Sequence, residues 1–180
     1  MTQPYLRSFL LCLSCVVLLS GCVSLQQTKQ LGIKKINKLS AFNGIYENTW
    51  QTGDSLSYAL LWNQLKLSHN LSEPDFKKAK IELVAFDTDK LKAIWWQGDV
   101  QKAELILKGE LRDNYFVSRH QRKIIPIPLI YGKLENHQFQ LSISAHNTLI
   151  LDRLENKWGW VFLFLASNNS TKRYEYHSAK

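Results

Sequence analysis

Cysteine is confined to the start of this sequence. The 180 residues include three cysteines, which stand at Cys12, Cys15 and Cys22. Residues 23–180 therefore contain neither a disulfide nor a thiol nucleophile, which excludes a disulfide-stapled scaffold and cysteine catalysis for that part of the chain. A domain built from those residues has to be held together by its hydrophobic core alone.

Long apolar runs are scarce as well. A helix that crosses a bilayer needs about 20 consecutive apolar residues, whereas the longest apolar stretch after the first 21 residues, 158–166 (WGWVFLFLA), has nine. This stretch is apolar at both alternating sets of positions. We therefore predict a strand that is buried on both faces, not a membrane-spanning helix.

Motifs for common catalytic and metal chemistry are missing too. The sequence has no Gly-x-Ser-x-Gly elbow, no phosphate-binding glycine loop and no His-Glu-x-x-His pair. Most candidate carboxylates fall in predicted turns, where turn geometry accounts for them. We therefore expect no enzyme, no cofactor and no metal site, with catalytic groups that converge only in the folded chain as the alternative.

The first feature that is present is a leader. Residues 1–21 carry a basic Arg7, an apolar run of 11 residues and two small residues before Cys22, which is the arrangement of a secretory signal peptide. Leu19-Ser20-Gly21-Cys22 resembles the lipobox of bacterial lipoproteins. The resemblance implies cleavage before Cys22, a diacylglycerol on its thiol and fatty acylation, such as palmitate, of the new amine. The alternative is an ordinary cleaved signal with Cys22 there by chance.

The same resemblance predicts a location. Two or three acyl chains anchor a protein stably, whereas one chain holds it only marginally. In lipoproteins, Asp after the lipidated cysteine favours retention in the inner membrane, and this chain has Val23 there. We therefore expect the protein on the bacterial outer membrane, anchored by acyl chains on Cys22, with its domain in the periplasm.

Basic residues outnumber acidic ones, 23 to 15, for a net charge of +8. In a cytoplasmic protein this balance would suggest nucleic acid, but the leader argues against that compartment, so we expect no nucleic-acid partner. The charge then indicates either a solvated surface or attraction to anionic lipid head groups. The densest basic cluster, 119–123 (RHQRK), is interpreted as a hairpin tip.

The remaining chain divides into a tether and one domain. Residues 22–41 are polar, with Ile33, Ile36 and Leu39 at every third position, and are predicted to be a tether containing a short helix. From residue 42 to residue 180, apolar runs of four to eight residues alternate with turn residues, which is typical of sandwiches and barrels. The clearest strands are 80–87, 90–97, 102–109, 137–145 and 157–167, the last preceded by a predicted turn at Glu155-Asn156. Residues 58–65 are either a strand or a short helix, and a helical turn is predicted at 72–78.

These strands follow one another with short connections, which favours a meander. We predict an all-β fold, an antiparallel up-and-down β-barrel of about 8–10 strands, with a β-sandwich as the alternative. Pro126 and Pro128 remove donors from the same side of residues 124–130, so that segment is predicted to be an edge, a rim crossing or a bulged strand, not a regular central strand. Gly44-Ile45-Tyr46 resembles the Gly-x-Trp entry of lipocalin-type barrels, which implies that a late basic residue, here Arg173, covers the ring of Tyr46.

Two functions remain open. Alternation along a strand predicts that Trp95 faces the interior and Trp96 the exterior. The inward residues could line a pocket or fill it; they are Trp95, Leu105, Leu107, Phe139 and Leu141. The first function is binding of a small apolar ligand in the barrel, for which a void of roughly 300 Å³ or more is needed. The second is a solid-cored interaction lipoprotein that docks an envelope protein, and the predicted partner or membrane contacts are Trp96, Arg119, Arg122 and Lys123.

Overall fold

The computed structural model of the protein describes residues 32–50, 59–66, 78–127, 131–161 and 164–179. The leader, Cys22 and most of the helical turn predicted at 72–78 lie outside the described residues. No described helix has the length and apolar character needed to span a membrane.

The described chain is mostly antiparallel β-sheet, which confirms the predicted all-β class. It also contains a 3₁₀ helix at Leu39–Phe42 and one short helix, α1, at Leu61–Lys66. The strands are β1 (Gly44–Glu47), β2 (Lys80–Ala85), β3 (Lys90–Gln97), β4 (Val100–Arg112), β5 (Tyr115–Ser118), β6 (Gln121–Ile127), β7 (Tyr131–Ile143), β8 (Leu149–Val161) and β9 (Phe164–Tyr176).

The strands form one sheet in the order β1-β2-β3-β4-β5-β7-β8-β9, with β6 paired to β7 beside this path. The ladder does not close into a ring. Between its two ends, the described residues form an isolated bridge, Tyr46 with Ser178. Two hydrogen bonds accompany it: the Glu47 N–H donates to His177 O at 2.9 Å, and the Ala179 N–H donates to Ile45 O at 2.8 Å.

Strands β5 and β6 share one edge of β7. Phe116 pairs with Leu141 in β7, and Gln121–Ile127 pairs farther along the same edge. Residues 119–120 interrupt this edge, so the prediction of a hairpin tip at 119–123 was wrong. In the described part of the chain β6 has a ladder to β7 alone, so residues 124–127 lie at an edge and are not a regular central strand, as predicted; residues 128–130 lie outside the described residues.

Strand β8 is longer than the sequence indicated. Glu155 and Asn156 were predicted as a turn, but they continue β8 and pair with Ser170 and Asn169 of β9. The apolar run 158–166 is therefore not one strand; it spans the end of β8 and the start of β9. Polar residues signal a turn in a sequence, but here they lie in a regular ladder between two neighbouring strands.

The segment before β1 belongs to the packed domain. Ile33 bridges Ser144, and the Lys34 N–H donates to Ile143 O at 2.8 Å, so this segment extends the far end of β7. Ile36 and Leu39 are 3% and 6% exposed. Ile36 and Leu39 therefore pack on the core, and an extended segment followed by the 3₁₀ helix stands where the sequence predicts a short helix.

The lipocalin-type contact between a late basic residue and the first-strand aromatic is not formed by Arg173. Its guanidinium makes two hydrogen bonds to the buried carboxylate of Asp152, at 2.6 and 2.7 Å. Tyr46 instead lies in the core with Tyr174 and Tyr176, whose side chains alternate with Arg173 along β9. The Tyr46 hydroxyl donates to Phe42 O at 3.0 Å.

Candidate functional site

The five residues predicted to bind a ligand all face the core. Trp95, Leu107, Phe139 and Leu141 are buried, and Leu105 is partly buried against the same cluster. This confirms the predicted orientation of Trp95. It does not test ligand binding, because an inward side chain can line a cavity or fill it.

Helix α1 fills the core-facing side of the sheet. Leu61 and Leu65 are almost completely buried, and the Trp62 ring packs on Trp95 with 5.7 Å between their centroids. The helix is held by polar contacts as well, since the Arg153 Nη1 donates to Gln64 Oε1 at 3.1 Å. Side chains of α1 therefore occupy part of the described hydrophobic core.

A small cleft remains beside this core, between β4 and the junction of β5 with β6. Its volume is about 210 Å³, and its apolar lining includes Leu65, Leu105, Leu107 and Phe139. Residues 118–121 form its mouth. Clefts that enclose a drug-sized ligand start at roughly 300 Å³, so this cleft is small for such a ligand.

A second cleft of about 520 Å³ adjoins it and has a charged lining. Arg119 reaches across this cleft to Asp89 at 3.1 Å, and Arg112 pairs with Glu110. These charges are matched by the protein itself. The lining of this cleft is therefore mixed, polar and apolar, and its volume exceeds the roughly 300 Å³ of a typical ligand pocket.

The residues predicted as partner contacts lie on different strands. Trp96 of β3 is half-buried, and its Nε1 donates to Glu82 Oε2 at 2.8 Å. Arg119 lies at the two clefts, whereas Arg122 and Lys123 are exposed on β6. The structure thus separates Trp96 from the β6 cations and places those cations beside a surface that the sequence did not reveal.

That surface belongs to a four-stranded extension of the sheet. We use the name β-arm for residues 121–127, 131–137, 155–161 and 164–170, which pair in register and contribute no residue to the described hydrophobic core cluster. In an antiparallel ladder, directly paired residues share a face. The β-arm is therefore a sheet segment with two faces of its own.

One face of the β-arm carries an apolar stripe. Ile124, Leu134 and Trp158 pair across β6, β7 and β8, and Leu165 pairs with Trp160 in the adjoining rows. Ile124 is 63% exposed, Trp158 48% and Leu165 75%. The Trp160 ring covers Gly132, where an added Cβ would lie 1.9 Å from it. Large apolar side chains this exposed and this close together mark a contact site.

The tip of the β-arm is apolar on both faces. Phe164 is 81% exposed and, as the neighbour of Leu165, points to the opposite face. The sequence prediction that residues 158–166 are buried on both faces was therefore wrong. The alternation itself was visible in the sequence, but the location of the run at a hairpin end was not.

The other face of the β-arm is lined with ion pairs. Lys133 lies 2.7 Å from Glu135, and Lys157 lies 3.0 Å from Glu155. The hydrogen bond from Lys133 lowers the pKa of Glu135. Burial, reinforced by the positive charge of Arg153, lowers the pKa of His137. This face therefore has paired charges, in contrast to the apolar stripe.

The described residues contain no group of three histidine, cysteine or carboxylate side chains that could hold a metal ion. His137 approaches Glu135 at 3.7 Å, and this contact is part of the ion-pair network just described. Comparisons with models of protein families, with curated proteins and with solved structures found no match.

Proposed function

We propose that this protein is a cell-envelope lipoprotein with a filled core, which acts without catalysis by docking its surface to another component of the envelope. The observation that carries the proposal is the pairing of a helix-filled interior with an exposed apolar β-arm. Helix α1 packs into the hydrophobic core, which supports a filled interior, whereas Trp158 and Leu165 are held in solvent by a regular ladder. Exposing such side chains is unfavourable unless another surface covers them.

A barrel is the shape that we propose for the domain. The bridge between Tyr46 and Ser178 and its two flanking hydrogen bonds support closure of the sheet through β1 and residues 177–179. Closure removes exposed sheet edges, which otherwise invite aggregation. A β-sandwich is the alternative.

The anchor is part of the same proposal. Lipidation of Cys22 would leave ten residues between the membrane and Gly32, and a chain of that length reaches at most about 35 Å. The domain would therefore work close to the membrane surface. Val23 favours the outer membrane, with the domain in the periplasm.

Mass spectrometry of the protein isolated from bacterial membranes tests the anchor. We expect an intact mass that starts at Cys22 and includes two or three acyl chains. The Cys22→Ser variant should keep its leader and carry no acyl group. A wild-type chain that is cleaved without acylation would overturn the lipoprotein assignment.

The small cleft supports a second candidate function, binding of a small apolar ligand. Leu65, Leu105 and Phe139 supply an apolar floor, and Arg119 and His120 stand at the mouth. This arrangement suits a short acyl chain with an anionic head group. Native mass spectrometry of the acylated protein, purified from cells in mild detergent, separates the candidates. A stoichiometric added mass favours the ligand, and an unmodified mass favours the filled-core function.

A further inference from the structure

We propose that the tip of the β-arm inserts into the head-group region of an anionic lipid bilayer. This inference rests on the proposed docking function and names the surface that the β-arm meets. The residues that enter the bilayer are Phe164, Leu165 and Trp160, with Trp158 at its boundary and Arg122, Lys123 and Lys157 at the lipid phosphates.

The order of side chains along the β-arm matches the order of layers in a membrane surface. Phe164 stands at the tip, Leu165 and Trp160 share the next row, and the row of Trp158 follows after that of Lys133 and Gly159. The next row toward the domain contains Lys123, Glu135 and Lys157. Tryptophan is enriched at membrane interfaces, and lysine and arginine are attracted to anionic head groups just outside them.

Polar asparagines form the row behind these cations. Asn136 pairs with Asn156, and Asn156 pairs with Asn169. Amides suit contact with water better than contact with hydrocarbon. On the face that carries Trp158, the apolar and aromatic rows are thus followed by a row of amides with Arg122, in the direction that leads from the bilayer into water.

The length of the apolar section fits a shallow insertion. The row of Trp158 lies three residues from the row of Phe164, and strands rise about 3.3 Å per residue, so the two rows are about 10 Å apart. Interfacial amphipathic elements bury their apolar side chains about 5–10 Å into the boundary between head groups and acyl chains. The β-arm therefore reaches the acyl boundary without spanning the bilayer.

The distribution of apolar groups favours lipid over a protein surface. Phe164 and Leu165 are 81% and 75% exposed on opposite faces of the tip. A second copy or a flat protein partner would cover one face and leave the other in water. A bilayer surrounds an inserted tip and covers both faces at once.

The charges of the β-arm favour an anionic bilayer. Arg122, Lys123, Lys133 and Lys157 outnumber Glu135 and Glu155 by two. Glu135 and Glu155 also lie on the domain side of the Trp158 row, so the described rows of the tip contain no acid. Polybasic segments near an anionic surface contribute about 1 kcal/mol per cation.

The β-arm and the membrane anchor leave the domain at opposite ends of β7. The Ala145 N–H donates to Gly32 O at 2.7 Å beyond one end of β7, and the β-arm tip lies at the other end. The bilayer that receives the tip is therefore either the anchoring membrane beneath a tilted domain or a second membrane facing it. Both have the same lipid chemistry, and the experiment separates them.

Quenching of tryptophan fluorescence by brominated lipid tests the inference. The acylated full chain is reconstituted into vesicles, and phosphatidylglycerol with brominated acyl chains is placed either in those vesicles or in added, protein-free vesicles. Two of the six tryptophans lie on the β-arm, so we expect one arrangement to remove up to about one third of the emission. The Phe164→Glu/Leu165→Glu variant should lose this quenching.

A matched variant controls for charge alone. Phe86 and Val100 are 48% and 55% exposed and lie outside the β-arm, so Phe86→Glu/Val100→Glu should keep wild-type quenching. Absence of quenching in both arrangements, or equal quenching in the two double variants, would overturn the inference. So would a dimer that Phe164→Glu/Leu165→Glu converts to monomers without any quenching, since the partner would then be a second copy.

Failure of the proposed function gives a different result. A chain without acyl groups would not float with its own vesicles, whereas the added anionic vesicles would still report on the tip. If the protein floats with its vesicles but its tryptophans are not quenched, the lipoprotein proposal stands and the inserted tip is overturned. If added vesicles quench a chain that carries no acyl group, the anchor is overturned and the inserted tip stands.

Discussion

Asn48 positions helix α1 from a distance in the sequence. Its side-chain Oδ1 accepts a hydrogen bond from the Trp62 N–H at 2.9 Å, and its carbonyl accepts one from the Leu61 N–H at 2.9 Å. The first N–H groups of a helix have no partner within the helix, so Asn48 acts as a cap supplied by another part of the chain. Asn48 is completely buried, which makes its amide costly to leave unpaired.

Replacing Asn48 with alanine should therefore destabilise the fold. Loss of the side-chain acceptor leaves the Trp62 N–H unpaired inside the protein, and we expect the free energy of unfolding to fall by about 1–3 kcal/mol. Urea denaturation followed by circular dichroism measures this change. Asn168→Ala, at an exposed position of β9, should stay within about 0.5 kcal/mol of wild type. Equal stability of the two variants would contradict the capping role.

His137 gives the fold a pH dependence of known sign. Burial and the nearby Arg153 lower its pKa in the folded state, although Glu135 and Glu155 oppose this shift. The unfolded state therefore binds more protons as the pH falls below about 6.5, so stability declines in that direction. Above about pH 7 both states are neutral at this residue and it contributes nothing.

The His137→Gln variant should show a flatter profile. Between about pH 7 and 5, the free energy of unfolding of wild type should fall by less than about 1.4 kcal/mol per pH unit, and the variant should lack this contribution. Glu135 and Glu155, whose pKa values are lowered in the folded state, contribute mainly toward and below the acidic end of this window. Parallel stability profiles for the two proteins would show that His137 is not the titrating group.

Single residues also show what the sequence can reveal. The alternation of Trp95 and Trp96 was predictable because successive strand residues point to opposite faces. The partner of Arg173 was not, because Asp152 lies 21 residues away and meets it only through the register of β8 with β9. Local pattern gives the direction of a side chain, whereas pairing register gives its contacts.

At the scale of elements, helix α1 packs into the hydrophobic core. Trp62 is 6% exposed and packs on Trp95, so Trp62→Ala should open a cavity and lower the free energy of unfolding by about 3–5 kcal/mol. Denaturation by urea tests this. Trp158→Ala removes the same side chain from an exposed site outside the core and should cost much less. If both variants lose similar stability, helix α1 does not fill the interior.

The close pairing of β4 with β5 depends on a glycine. A Cβ on Gly109 would lie 2.4 Å from Val117 O, which is backbone, so Gly109→Ala should force the two strands apart and cost about 1–3 kcal/mol. Gly159 has its nearest such neighbour at 3.5 Å, an ordinary contact, so Gly159→Ala should leave the melting temperature nearly unchanged. A Gly109→Ala protein that melts with wild type would contradict this packing.

Element boundaries were predictable where apolar alternation and turn residues agreed. Strand β3 has the limits expected from the sequence, 90–97. The end of β8 was missed because Glu155-Asn156 looks like a turn, although both residues pair with β9. A two-residue polar signal cannot distinguish a turn from a solvated ladder position, since both place polar groups in water.

At the scale of the whole molecule, the all-β class followed from strand spacing. The separate roles of the core and the exposed β-arm did not. The sequence left open whether the inward residues surround a ligand. The α1 side chains that pack among them come from residues 58–65, for which the sequence predicted either a strand or a short helix. The exposed β-arm was hidden for a different reason. An apolar run is buried or exposed according to its neighbours in space, and no local pattern contains that information.

The two ends of β7 face different parts of the molecule. One end of β7 adjoins Gly32, from which the chain leads back to Cys22, and the other end carries the apolar tip. We propose that the β-arm, and not the cleft beside Leu105, is covered by another component in the cell envelope.

Thiol labelling in intact envelopes tests this claim most directly, because residues 23–180 contain no cysteine. Leu165→Cys and Val100→Cys, both at exposed positions, are treated with a membrane-impermeant maleimide in opened envelopes and again after purification. We predict that Leu165→Cys is protected in envelopes and reacts after purification, whereas Val100→Cys reacts in both. Equal and rapid labelling of both positions in envelopes would contradict the account.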